Sequence, residues 1–90
     1  MRVTIIPEDR WIRRNSEQAN LPDWPFDDAN IHAIQWYGED GEIEYKGRPK
    51  PPNQTISDPI ILDPYLVALD QWLTDVAAAA LLDPVAAPIG

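Results

Sequence analysis

The segment that most restricts the fold is Ile31-His32-Ala33-Ile34-Gln35-Trp36-Tyr37, followed by Gly38-Glu39-Asp40-Gly41 and then Glu42-Ile43-Glu44-Tyr45. Two alternating, β-prone runs flank an Asp-Gly pair, and glycine accepts the positive φ that tight hairpin turns demand. The segment therefore predicts a β-hairpin. Alternation along its first arm puts His32, Ile34 and Trp36 on one face and Ala33, Gln35 and Tyr37 on the other. In the second arm Ile43 and Tyr45 share a face, with Glu42 and Glu44 opposite. A sheet covered on one side would bury Ile34, Trp36, Ile43 and Tyr45. Upstream, the β-branched run Val3-Thr4-Ile5-Ile6 stops at the turn-prone cluster Pro7-Glu8-Asp9-Arg10, and Trp11-Ile12-Arg13-Arg14 offers a partner strand. Two hairpins give four strands, enough for a small antiparallel sheet.

Residues 15–30 contain Leu21-Pro22-Asp23-Trp24-Pro25-Phe26 and read as a loop pinned by Trp24 and Phe26, because a residue before proline is pushed toward extended geometry. Lys46 to Asp58, with Pro49, Pro51 and Pro52, reads as an extended stretch of polyproline character. Asp63-Pro64 is a helix start, since aspartate accepts from a first-turn amide and proline loses nothing at the first helical position. The expected fold class is α+β. The expected organisation is a small antiparallel sheet over residues 1–50, a Pro-rich linker over 51–62, a C-terminal helix over 63–83 closed by Asp83-Pro84, and a tail over 84–90.

Chain length and composition narrow the function classes. Ninety residues allow one small domain. The absence of cysteine removes disulfides, thiolate metal sites and cysteine nucleophiles together. His32, the only histidine, has no second imidazole beside it in sequence and reads as a surface or sheet-face residue. Asp27-Asp28 and Glu39-Asp40-Glu42-Glu44 lack the alternating oxygen-donor loop that Ca²⁺ requires and read as solvated carboxylates. With four glycines and no phosphate-cradling motif among them, neither a cofactor nor an enzymatic activity is expected. The longest apolar run, Val76 to Leu82, is seven residues against the roughly 20 of a spanning helix, so the chain reads as soluble and intracellular, without a membrane partner. The formal net charge of −8 is unevenly spread, and residues 15–45 hold eight acids and no Lys or Arg. A phosphate-binding surface must be basic and contiguous, and only residues 1–14, with four Arg against Glu8 and Asp9, could begin one. Nucleic acid is not an expected partner. An acidic protein that mimics nucleic acid and inhibits a host defence protein is the alternative that this charge suggests.

The helix carries the candidate site. Leu62, Leu66, Leu69, Leu73, Val76 and Ala80 recur in heptad order, and Tyr65 and Trp72 widen the stripe. A small sheet offers one limited apolar face, so the expected partner-binding residues are Leu66, Leu69, Trp72, Leu73 and Val76, used either for a second copy of the chain or for another protein. Packing of the stripe on the chain's own sheet is the competing expectation.

The stretch Ile31-His32-Ala33-Ile34-Gln35-Trp36-Tyr37-Gly38, continued by Gly41-Glu42-Ile43-Glu44-Tyr45, resembles small proteins of tailed phages and prophages encoded beside tail-fibre genes, some of them tail-fibre assembly or tail-assembly chaperone proteins. Val3-Thr4-Ile5-Ile6-Pro7-Glu8-Asp9 and a C-terminal helix bearing Tyr65 and Trp72 also look like that group. Two departures stand out: Arg10 occupies the place of an expected turn glycine, and Trp11-Ile12-Arg13-Arg14 is more basic than usual. The resemblance implies contact with a phage tail or tail-fibre protein, no enzymatic activity, and a place in the host cytoplasm during phage assembly. It leaves open whether the protein is a transient chaperone or stays in the virion tail.

Overall fold

The computed structural model describes residues 1–82, so the expected helix end at Asp83 and the tail over 84–90 lie outside the described residues. The fold is α+β. Strands β1 (Val3–Ile6), β2 (Trp11–Arg14), β3 (Glu17–Asn20), β4 (Ile31–Trp36), β5 (Gly41–Tyr45) and β6 (Gln54–Ile56) precede one helix, α1 (Asp63–Leu82). They form one six-stranded sheet in the order β3-β2-β1-β4-β5-β6, with every neighbouring pair antiparallel. Both predicted hairpins are present. The β1–β4 pairing joins them, with Ile5 opposite Ile34 and Val3 opposite Trp36.

One face of this sheet is the core. Ile12, Ile5, Ile34 and Ile43 are cross-strand neighbours in successive strands, and the first three are fully buried. Side chains at directly opposed positions lie about 4.5–5.5 Å apart at Cβ, so these four make a continuous apolar row. The other face carries the row Gln18, Arg13, Thr4, Gln35, Glu42 and Thr55. That face is polar, and the Thr4 hydroxyl is hydrogen-bonded to Gln35 Oε1 at 2.8 Å.

Four corrections to the sequence reading have physical causes. First, two edge strands lie in segments expected to be irregular. β3 is polar apart from the buried Ala19, and β6 is a three-residue strand inside the Pro-rich stretch. β3 lacks the β-branched or aromatic content by which strands are recognised, and β6, with Thr55 and Ile56 alone, is too short to stand out; both form by completing the hydrogen bonding of a strand already in place. Second, His32 does not share the face of Ile34. The β4–β5 register shifts between Ile31 and Ala33, which leaves His32 as the extra residue, exposed, while Ile31 opposite Tyr45 packs on the core. A bulge inverts the alternation on one side of itself. Third, the positive φ of the central hairpin belongs to Gly38 (φ 114°), in a loop closed by the Tyr37 amide donating to the Asp40 carbonyl at 2.8 Å. Gly41 is glycine for want of space: a Cβ there would lie 2.1 Å from the Gln35 carbonyl oxygen and 3.0 Å from the Trp36 indole.

Fourth, the stretch between sheet and helix does not hold the two apart. β6 pairs with β5, and a 3-10 turn at Pro59–Leu62 then buries Leu62 completely. Asp58 caps this turn by accepting from the Ile60 amide at 3.0 Å. The helix that follows lays Tyr65 and Leu69 into the core formed by Val3, Ile5, Ile12, Ile34 and Trp36. A fully buried leucine contributes roughly 1.5–3 kcal/mol, more than an isolated solvated helix could recover in any other way, and the sheet's apolar face is the nearest surface that supplies it.

Candidate functional site

The heptad stripe divides along the length of α1. Leu69 is fully buried and lies in the protein's own core, so it is not available to a partner; this corrects its expected role. Leu66, Leu73 and Trp72 are half-buried against that core, and Val76 is exposed. Of the five expected contact residues, therefore, Val76 is exposed and Trp72, one turn before it on the same side of the helix, is half-buried, with Leu66 and Leu73 on the other flank of the stripe.

Trp72 belongs to a groove that the sequence did not reveal as one. Ala68, Gln71, Trp72 and Asp75 recur at the spacing of a single helix face, and they line one wall. Leu21, Pro22, Asp23 and Pro25 line the other, enclosing about 240 Å³. Two prolines hold this second wall extended. Its floor is apolar and its rim carries two carboxylates, Asp23 and Asp75, with Asp75 accepting from the Gln71 amide at 2.8 Å.

The loop wall is fixed to the helix by a buried polar latch. Asp28 is 3% exposed. Its carboxylate accepts from Trp24 Nε1 at 2.9 and 3.1 Å and from the Tyr65 hydroxyl at 2.6 Å. Trp24 and Phe26 meet edge-on at 4.9 Å between centroids, and the Phe26 ring lies 4.3 Å from that of Tyr65. The expected pinning by Trp24 and Phe26 is thus present, but Asp28 is buried rather than solvated and makes the link to the helix. Burial, reinforced by the hydrogen bond to Asp28, pushes the Tyr65 phenol well above its ordinary range. A second tie joins helix to sheet at the surface, where Arg14 bridges Glu17 at 2.9 Å and Asp70 at 2.7 Å. These contacts, the one to Asp70 foremost, raise the guanidinium pKa further.

The remaining sequence candidates are dispersed. His32 stands at the bulge beside a shallow cleft shared with Glu44, Lys46 and Lys50. Among the described residues no three His, Asp or Glu side chains are gathered as a metal site would require, and no helix is long and apolar enough to cross a membrane. Comparison with protein-family models, curated proteins and solved structures finds no match.

Proposed function

We propose that the protein acts by protein–protein contact in phage tail or tail-fibre assembly, as an assembly chaperone or a minor structural component, and that the groove beside Trp72 receives the partner. The observation that carries the contact role is this groove: an aromatic side chain at the boundary of core and solvent, walled by prolines and rimmed by Asp23 and Asp75. Tryptophan in a partly desolvated pocket is a frequent energetic centre of protein interfaces. The two carboxylates favour a partner segment that places Lys or Arg at the rim, with its stem over the indole. The phage context rests on the likeness of the Ile31–Tyr45 stretch to tail-fibre assembly proteins; that stretch forms β4 and β5, in the interior of the sheet.

The nucleic-acid-mimic alternative calls for one continuous acidic face. Glu42 and Glu44 share the open face of the sheet with Arg13, which interrupts such a face.

Genetic complementation tests the proposal. A phage lacking the gene should recover infectious, fibre-bearing particles when the parent protein is supplied and fail to do so with Trp72→Ala, provided that the variant melts cooperatively. Normal fibre assembly without the gene would overturn the reading.

A further inference from the structure

A further cleft lies on the opposite side of the sheet from the groove, and its chemistry runs against the charge of the whole molecule. Arg2, Thr4, Arg13 and Asn15 line about 390 Å³ on the open face. Thr4 and Arg13 are directly opposed across β1 and β2, and Arg2, two residues before Thr4, is on the same face and diagonal to Arg13. Diagonal neighbours in an antiparallel pair lie roughly 7–8 Å apart, within reach of long side chains. Neither Arg2 nor Arg13 has an ion pair among the described residues, where both ion pairs belong to Arg14. The Arg2 guanidinium rests 5.5 Å from the Tyr37 ring centroid, and Glu42, on the same face, is hydrogen-bonded to the Tyr37 hydroxyl at 3.1 Å.

The cleft is also organised. Asn15 adopts a left-handed conformation (φ 54°). In it the Asn15 amide donates to the Arg2 carbonyl at 2.8 Å, its side-chain oxygen accepts from the Arg2 amide at 3.0 Å, and its own carbonyl accepts from Arg13 Nε at 2.8 Å. This last bond fixes the plane of the Arg13 guanidinium and leaves both terminal nitrogens for a ligand. Two guanidiniums lining one cleft, one of them oriented by a backbone carbonyl, match an oxyanion that carries two charges and several acceptor oxygens.

We propose that the Arg2–Arg13 cleft is a binding site for a phosphate dianion, carried by the free ion or by a small monoester. The site is independent of the groove beside Trp72. A ¹H–¹⁵N correlation titration of the full chain at constant ionic strength tests it, with inorganic phosphate, glycerol 3-phosphate and acetate as probes. Phosphate should produce saturable shifts confined to Arg2, Thr4, Arg13, Asn15 and the Arg13 Nε–H, and acetate should bind at least about tenfold more weakly. Tighter binding of glycerol 3-phosphate than of the free ion would support the site as one for a monoester. Arg13→Gln and, separately, Arg2→Gln should each weaken phosphate at least about tenfold, while Arg48→Gln, which lines no part of the cleft, should not. Equal responses to phosphate and acetate, shifts that do not saturate, or unchanged binding in both cleft variants that melt like the parent would overturn the proposal.

Discussion

Replacing Tyr65 by Phe removes one oxygen and leaves the rest of the latch in place, which makes it the sharpest probe of how helix and loop are joined. The Tyr65 hydroxyl donates to Asp28 at 2.6 Å in a setting where Tyr65 is 7% and Asp28 3% exposed. A hydrogen bond to a charged group is worth roughly 1.5–3 kcal/mol net. The phenylalanine ring keeps its contacts with Trp24 and Phe26, whose centroids lie 5.8 and 4.3 Å away, so little packing energy changes. The expected loss is therefore about 1.5–3 kcal/mol. For a domain of this size each kcal/mol moves Tm by roughly 4–8 °C, and the variant should melt about 6–24 °C below the parent. A double-mutant cycle with Asp28→Asn should return a coupling energy of roughly 0.5–3 kcal/mol. A Tyr65→Phe melt that overlays the parent's, with no coupling in the cycle, would refute the latch.

Trp36→Ala removes a buried indole and should cost roughly 3–5 kcal/mol in a denaturant titration. Gly41→Ala drives a methyl group into the Gln35 carbonyl and the Trp36 indole and should cost at least about 3 kcal/mol by separating β4 from β5; unchanged stability would contradict that close approach. Leu69→Asp buries a carboxylate in the core and should unfold sheet and helix together in circular dichroism, whereas an intact sheet would mean that the helix is dispensable to it. For pH, the folded state holds the Tyr65 proton more tightly than the unfolded chain, whose phenols titrate near 10. The stability this confers is complete below about pH 10 and falls as pH rises toward the folded value; denaturant titrations at pH 8 and pH 11 should show a larger alkaline loss in the parent than in Tyr65→Phe.

Much of the sheet was legible because its central strands announce themselves. Ile34, Trp36 and Ile43 alternate with polar residues, and the structure buries all three. The β3 sequence Glu-Gln-Ala-Asn offers one apolar residue, and no local preference distinguishes it from a loop; it is a strand because β2 has an unpaired edge beside it. His32 shows the limit of periodicity, since one bulged residue exchanges the faces of everything on one side of it. The helix was legible as a helix, but its stripe was wider than the sheet's share of it, and only the packed structure separates Leu69, which is core, from Trp72, which is rim. The groove itself was hidden in the sequence: Leu21 to Pro25 and Ala68 to Asp75 are distant in the chain, and the Asp28–Tyr65 bond that unites them spans 37 residues.

The proposed docking beside Trp72 is tested most directly by isothermal titration calorimetry of the purified protein against a tail-fibre protein, the partner class that the proposal names. Ala68→Glu places a carboxylate inside the groove, and Val67→Glu places one on the exposed neighbouring position outside it. If the groove receives the partner, Ala68→Glu lowers affinity at least about tenfold while Val67→Glu binds as the parent does. Equal affinities for both variants, or no binding of the fibre protein by the parent, would contradict it.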